Sequence, residues 1–233
     1  MLNSKFIISV AAVAAMSAGF WLSSMQQSGD EKSVEQQKQK ELAEARNNYS
    51  PIQGTILSPA RKITIPDLLR DNGEKFTMKD LKGHWSLFFF GYTHCPDICP
   101  VTLGVVAQAK KMATRLNHMF PQVVFVSVDP DRDKVEMLSD YVQYFDKDFV
   151  GVTGDAEMIK ALTLQMSVVY MKVPVDNGTA SSSLDNNVYN VDHSSALLLV
   201  NPDGKLFAFL NPPHDATTIL KDFQTAVNRS NEL

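Results

Sequence analysis

One continuous apolar and aromatic run, residues 85–92, ends just before the only two cysteines of the chain. An uninterrupted apolar strand is expected at the centre of a sheet that is covered on both faces. Further strands are predicted at residues 123–128, 149–153 and 168–173, with helical segments between them. This alternation predicts an α/β fold with a mostly parallel sheet and helices on both faces.

Turn signals mark both ends of the predicted domain. Residues 52–69 carry alternating apolar positions, and the Asp-Asn-Gly turn at 71–73 follows them, so we expect an N-terminal β-hairpin. The Pro-Asp-Gly turn at 202–204 joins two apolar strands into a second hairpin, and a final helix is expected from about 215 to 228. A β-α-β unit followed by a hairpin and a helix is the thioredoxin-like order, here with insertions.

An uncharged apolar run at residues 6–22 precedes this domain. Its length is at the short end of the range for a membrane-spanning helix, roughly 17–25 residues. Small residues at 12–14 leave a cleaved signal peptide as the alternative, but the apolar run continues past them to Trp21, which favours an uncleaved transmembrane anchor.

Three regions are therefore predicted along the chain. Residues 1–25 are expected to be the membrane anchor. Residues 26–50 are rich in Gln, Glu, Lys and Ala and cannot contribute to a core, so they are interpreted as a polar stalk. Residues 51–233 are expected to form one globular domain, and the tendency of positive residues to stay inside, with Lys5 before the apolar run, places that domain on the extracytoplasmic side.

The charge balance limits the classes of partner. The formal net charge is −4, the pI is near 5.7, and the predicted globular domain contains no cluster of Lys or Arg. A phosphate backbone requires a basic surface, so no nucleic-acid partner is expected.

The two cysteines, Cys95 and Cys99, are separated by one helical turn. If a helix begins at the pair, both sulfurs project from its first turn on one face, and Pro96 suits such a start. Free backbone N–H groups at a helix N-terminus favour a thiolate. The pair can therefore form a reversible disulfide or hold one metal ion, and these alternatives stay open on the spacing alone.

Three separated motifs carry a family resemblance: residues 90–100 around the cysteines, residues 127–133 and residues 191–194. With these motifs the chain resembles the Sco/SenC family, membrane-tethered proteins of thioredoxin fold associated with copper delivery to cytochrome c oxidase. The resemblance implies that Cys95, Cys99 and His193 bind copper, as Cu(I), Cu(II) or both.

The resemblance also implies partners and a location. These are subunit II of cytochrome c oxidase, other copper carriers and a thiol reductant, with the domain facing the periplasm from a bacterial inner membrane. In a thioredoxin-like sheet, the loop at 191–194 is expected to approach the cysteines, and Asp192 is a candidate for orienting the imidazole of His193. The polar loop at 176–187 is longer than this role requires.

Two readings of the cysteine pair compete: a copper carrier without turnover, or an enzyme, a thiol-disulfide oxidoreductase with Cys95 and Cys99 as its redox-active pair. The three-residue spacer differs from the thioredoxin C-x-x-C. Peroxide removal, zinc binding and a purely structural disulfide rank lower. His94 is interpreted as lying outside the ligand set, and Asp131 or Asp133 is expected to cap the helix that follows.

Overall fold

The computed structural model describes residues 36–38, 52–174 and 189–232. The predicted anchor at 1–25, most of the predicted stalk and the loop at 176–187 lie outside the described residues. Across the described part of the chain, no helix combines the length and apolar character needed to cross a membrane.

The described domain is built from ten strands, four α-helices and one short 3-10 helix. The strands are β1 (Gly54–Lys62), β2 (Leu68–Arg70), β3 (Lys75–Phe76), β4 (Ser86–Gly91), β5 (Gln122–Ser127), β6 (Val150–Gly154), β7 (Tyr170–Pro174), β8 (Tyr189–His193), β9 (Leu197–Val200) and β10 (Lys205–Leu210). The helices are α1 (Ile98–Arg115), α2 (Val135–Phe145), α3 (Ala156–Gln165) and α4 (Ala216–Ser230), and the 3-10 helix is Met78–Leu81.

Eight strands form one sheet in the order β1-β10-β9-β4-β5-β6-β2-β3. Strand β4 lies inside this sheet, and all six of its residues are buried, which confirms the prediction of a central strand. The prediction of a mostly parallel sheet is wrong. Only the β4-β5 and β5-β6 pairs of the described strands are parallel, because hairpin strands and the N-terminal strands join the sheet in the antiparallel direction.

The predicted N-terminal hairpin is smaller than expected. Strands β2 and β3 flank the turn at 71–73, where Gly73 has a φ of 83° that favours glycine. Strand β1 does not join them and instead pairs with β10 at the opposite edge. Alternating apolar residues identify a strand but not its partner, so this long-range pairing was not predictable from the pattern. The second predicted hairpin is confirmed as β9 and β10.

Strands β7 and β8 pair only with each other among the described strands, as a separate antiparallel ribbon. The segment 191–194, expected as a loop, lies mostly within β8, and His193 is the last residue of that strand. The backbone of His193 is therefore held by strand pairing opposite Tyr170 rather than by a loop.

The predicted cap of α2 is wrong. Lys134 occupies the N-cap position without a side-chain cap, whereas the carboxylate of Asp133 is buried and accepts hydrogen bonds from Thr93 and Ser127. The helix α4 begins as predicted, because the Asp215 carboxylate accepts hydrogen bonds from two backbone N–H groups of the first turn.

The buried sheet interior makes a stability prediction. Leu199 is fully buried in β9, between β4 and β10. Changing it to Ala removes buried apolar surface and leaves a cavity in the core. Leu199→Ala is expected to lower the free energy of unfolding by about 2–5 kcal/mol. Leu164→Ala, at a 70% exposed position of α3, is the matched control and should change it by less than about 0.5 kcal/mol. Urea denaturation measures both, and equal losses would contradict this account of the core.

Candidate metal centre

The two cysteines lie where the central strand β4 leads into α1. Cys99 is buried in the first turn of the helix, whereas Cys95 is half-buried in the loop before it. The expectation that both sulfurs project from the first helical turn is therefore corrected, because α1 begins only at Ile98. The backbone N–H of Cys99 points at the Cys95 sulfur, with N and Sγ 3.4 Å apart. The sulfur thus accepts a hydrogen bond from one of the unpaired N–H groups at the helix start.

The imidazole of His193 completes a three-residue cluster. Its Nε2 lies 3.2 Å from the Cys99 Sγ, and the donor atoms of Cys95, Cys99 and His193 all lie within 4.8 Å of one another. The structure thus brings together the three residues that the resemblance implies as ligands. Two soft sulfur atoms and one imidazole nitrogen form a donor set suited to a soft metal ion.

A backbone carbonyl sets the orientation of the His193 ring. The ring Nδ1 lies 3.1 Å from the carbonyl oxygen of Ser194, which can only accept, so Nδ1–H donates and the lone pair of Nε2 faces the sulfurs. The rings of Phe89 and Tyr92 contact the imidazole edge to face, with centroids 6.0 and 6.1 Å away. Asp192, which was predicted to orient the imidazole, is exposed on β8. The backbone carbonyl of Ser194 orients the ring instead.

The two sulfurs differ in acidity. A hydrogen bond from the Cys99 thiol, followed by weaker ones from backbone N–H groups, outweighs the effect of burial and lowers the pKa of Cys95 to about 4. The pKa of Cys99 is raised, because its proton is held by the Cys95 thiolate and because it is more deeply buried. At neutral pH the metal-free pair is therefore one thiolate beside one thiol.

The ribbon that carries His193 is fixed by a buried ionic cluster. The Asp129 carboxylate accepts hydrogen bonds from the Tyr189 hydroxyl at 2.7 Å and from Nε of Arg132. The Arg132 guanidinium lies 3.8 Å from the centroid of the Tyr189 ring and donates to the Tyr189 carbonyl oxygen at 3.0 Å. These contacts attach β8 to the loop that follows β5.

The loop before Cys95 is fixed by Asp133. Its buried carboxylate accepts hydrogen bonds from the Thr93 N–H at 2.9 Å, the Thr93 hydroxyl at 2.6 Å and the Ser127 hydroxyl at 2.7 Å. In the sequence, Asp131 and Asp133 were interpreted only as candidate helix caps, so this role of Asp133 was missed. Their position directly after a buried strand was the available signal, because side chains at such a strand end lie beside the cysteine loop.

Gly91 provides the space for the Cys99 sulfur. A Cβ at this position would lie 2.8 Å from the Cys99 Sγ and 2.8 Å from a ring carbon of Phe125. Those distances are well inside normal contact, so the last residue of β4 has to be small for Cys99 to occupy its place.

The remaining histidines lie apart from this cluster. His94, expected outside the ligand set, contacts Thr93 and is 46% exposed. His84 contacts Gln122, His118 contacts Gln224, and His214 contacts the carbonyl oxygen of Ser195. Among the described residues, Cys95, Cys99 and His193 form the only group of three His, Cys, Asp or Glu residues placed to hold one metal ion.

Fold and cluster together define a thioredoxin-like protein with a dithiol and histidine centre. The SCO1/SenC family model matches residues 60–228, and the chain belongs to this family. It is 36% identical over 152 residues to the mitochondrial protein SCO1 homolog 1 of Arabidopsis thaliana, covering 65% of this chain and 43% of the plant protein. The chain thus spans less than two thirds of that relative, as it does of several other curated relatives.

Two solved structures of similar proteins hold copper. Arabidopsis thaliana ScoI with copper bound is 34% identical, with a TM-score of 0.62, and the match covers 72% of this chain and 99% of that one. Bradyrhizobium japonicum ScoI with copper bound is 30% identical, with a TM-score of 0.54, covering 74% and 100%. The thioredoxin-type fold predicted from the element order is confirmed by these similarities.

Enlarging Gly91 is expected to disturb the centre directly. Gly91→Ala forces the Cys99 sulfur or the Phe125 ring to move, so it should weaken metal binding by the reduced protein and lower its stability. Gly104→Ala on α1 is the matched control, since a Cβ there meets nothing within 4 Å, and it should leave both unchanged or raise stability slightly. Competition titration and urea denaturation measure the effects, and wild-type behaviour of Gly91→Ala would contradict the proposed contact.

The acidity of Cys95 predicts an unusual pH profile for alkylation. Because its pKa is lowered to about 4, Cys95 stays a thiolate above that pH, and its rate with iodoacetamide should be nearly flat from pH 6 to 8. An ordinary cysteine, with a pKa near 8.5, would lose reactivity steadily over that range as the pH falls. Cys99→Ala removes the thiol that lowers the pKa of Cys95 most, so the midpoint of the Cys95 alkylation profile should shift to higher pH. Cys99→Ser retains a hydrogen-bond donor and should shift this midpoint less. A Cys95 profile with an ordinary midpoint in the reduced, metal-free wild type would show that this hydrogen bond does not form.

Proposed function

We propose that the protein is a copper-binding metallochaperone that delivers copper for assembly of the CuA centre in subunit II of cytochrome c oxidase. The observation that carries the proposal is the convergence of Cys95, Cys99 and His193, whose donor atoms lie within 4.8 Å of one another. Family membership and the copper held by the similar ScoI proteins support it.

The donor set suits a cargo ion that must later be released. Cu(I) prefers sulfur and imidazole ligands, and Cu(II) is also compatible with them. A three-ligand centre leaves room for an incoming ligand of the acceptor, so copper can leave by ligand exchange. Cys95 is the more exposed of the two cysteines and is the one that an acceptor can approach first.

The cysteine pair also makes binding dependent on redox state. Oxidation joins the two sulfurs in a disulfide and passes two electrons to a thiol-disulfide partner, with loss of the thiol proton. Neither sulfur can then act as a thiolate ligand. An oxidising compartment favours this state, so a dedicated thiol reductant is part of the proposal.

The proposed location follows from the sequence. The apolar run at 6–22 acts as the membrane anchor, residues 26–50 as a stalk, and the domain faces the periplasm from a bacterial inner membrane. Tethering keeps the domain near a membrane-bound oxidase and limits its search for the acceptor. Other copper carriers supply the ion.

Thiol-disulfide exchange is the second candidate, and the difference in acidity within the cysteine pair favours it. The Cys95 thiolate would attack a target disulfide to give a mixed disulfide. Cys99 would then displace the target thiol, leaving the target reduced and the pair oxidised. The low pKa of Cys95 and the buried thiol of Cys99 fit an attacking and a resolving residue.

Loss of the imidazole tests the copper-binding proposal. His193→Ala should retain both thiols but weaken Cu(I) affinity by about tenfold or more, since even changes beyond the ligands cost roughly 10–100-fold. His118→Ala is the control, because His118 contacts Gln224 and is not part of the cluster. Anaerobic competition with a Cu(I) chelator measures affinity, and an unchanged value for His193→Ala would refute the three-ligand centre.

The same proteins separate the two candidates. A copper carrier should bind one copper ion per reduced chain and reduce a model disulfide slowly in the metal-free state. Rapid, repeated reduction of that disulfide, coupled to a thiol reductant and indifferent to His193→Ala, would favour the oxidoreductase instead.

A further inference from the structure

A short connector follows the histidine of the metal centre. Residues 194–196 lead from His193, the last residue of β8, to Leu197, the first residue of β9 in the eight-stranded sheet. Within this connector, the carbonyl oxygen of Ser194 accepts the hydrogen bond that orients the imidazole. Rotation of the peptide group between Ser194 and Ser195 would turn this acceptor away from the ring, even with both strands in place.

The connector is hydrogen-bonded to two different parts of the domain. The Ser194 N–H donates to the carbonyl oxygen of Val169 at 2.9 Å, and the Val169 N–H donates to the Ser194 hydroxyl at 3.1 Å. At the next carbonyl along the chain, Nε2 of His214 lies 2.9 Å from the oxygen of Ser195. A carbonyl oxygen can only accept, so the Nε2–H of His214 is the donor.

These contacts restrict the carbonyl that orients His193. The peptide group between Ser194 and Ser195 lies between two peptide groups that are each held by a hydrogen bond. A peptide group rotates only if the dihedral angles on both sides of it change, and most combinations of φ and ψ are forbidden by steric contact. With its neighbours held, the Ser194 carbonyl keeps its direction towards the imidazole.

His214 is itself held from both directions along the chain. The next residue, Asp215, caps α4 and accepts hydrogen bonds from two N–H groups of its first turn. The preceding carbonyl oxygen, that of Pro213, accepts a hydrogen bond from Nε2 of Gln53 at 2.6 Å. The backbone of His214 is thus held independently of the ribbon that carries His193.

We propose that His214 is a positioning residue of the metal centre, which holds the His193 imidazole in its copper-binding orientation through Ser195 and Ser194. This inference rests on the proposed copper-carrier function. His214 lies outside the cluster of donor atoms, and it acts on the ring through the connector alone. Without its hydrogen bond the connector is freer, so the lone pair of His193 Nε2 faces the sulfurs for less of the time and copper is held less tightly.

Two replacements of similar length test the donor. His214→Leu removes the hydrogen bond, whereas His214→Gln keeps an N–H group close to the position of Nε2. In the reduced full-length protein, His214→Leu should weaken Cu(I) affinity about three- to tenfold, less than the roughly 10–100-fold typical of a group that bonds the ligand itself. His214→Gln should restore most of the loss. His118→Leu is the matched control and should bind Cu(I) like the wild type in chelator competition, since His118 contacts Gln224 outside the cluster.

A spectroscopic readout separates positioning from a general loss of stability. Long-range 1H–15N spectra of the reduced, metal-free protein at alkaline pH, where an ordinary imidazole is neutral, report which nitrogen of His193 carries the hydrogen. The wild type should show it mainly on Nδ1, and His214→Leu should show a mixture of both forms, which His214→Gln reverses. A change that only lowers the free energy of unfolding leaves this signal of the folded protein unaltered. Identical His193 signals in the wild type and His214→Leu would overturn the proposal.

A double-mutant cycle tests whether His214 acts through His193. In the His193→Ala background, His214→Leu should cause no further loss of Cu(I) affinity, because the imidazole that it positions is absent. A loss as large as in the wild-type background would show that His214 acts on the cysteines or on the fold, and it would refute the positioning role.

These outcomes are distinct from failure of the carrier function. If His193→Ala lowers Cu(I) affinity but His214→Leu changes neither the affinity nor the His193 signal, the positioning role is refuted and the carrier function stands. If the reduced protein binds no Cu(I) through Cys95, Cys99 and His193, the carrier function fails. The His193 signal of the metal-free protein then still decides whether His214 orients the ring.

Discussion

The metal centre depends on the attachment of β8 to the rest of the domain. This strand carries His193, yet among the described strands it pairs only with β7 and not with the eight-stranded sheet. The cluster of Asp129, Arg132 and Tyr189 supplies the missing attachment through hydrogen bonds and the stacked guanidinium. Removing one member of such a buried ionic group leaves the others without their partners, which is costly. The cluster therefore helps to hold the imidazole in its position beside Cys99.

A second constraint acts on the cysteines from the sheet side. Gly91 ends the central strand and leaves space for the Cys99 sulfur, while Asp133 holds the backbone and hydroxyl of Thr93 just before Cys95. One sulfur is thus placed by a packed helix and the other by a hydrogen-bonded loop. The more exposed Cys95 suits ligand exchange, and the buried Cys99 suits retention of the ion.

The sequence predicted the parts of the fold that local pattern determines. The apolar run at 85–92, the turn at 202–204 and the cap at Asp215 specify a central strand, a hairpin and a helix start, and all three are present. The partner of β1 and the separate ribbon of β7 and β8 were not predictable, because strand pairing over long separations leaves no local signal.

The sequence predicted the three donor residues of the candidate site but not the groups that hold them in place. The spacing of Cys95 and Cys99 and the family motifs named the three residues that the structure brings together. The orienting group was assigned to Asp192, whereas a backbone carbonyl at Ser194 does this, and no side-chain pattern reveals a carbonyl. Asp133 resembled a helix cap in the sequence because an aspartate shortly before a predicted helix is a common cap. Nothing in the local sequence distinguishes it from a buried carboxylate.

X-ray absorption spectroscopy of the reduced, Cu(I)-loaded protein tests the central claim most directly, because it counts the ligand atoms around the ion. Coordination by two sulfur atoms and one imidazole nitrogen is expected, with the imidazole scattering absent from the His193→Ala protein. A spectrum with sulfur ligands alone, or one that is identical with and without His193, would contradict the account.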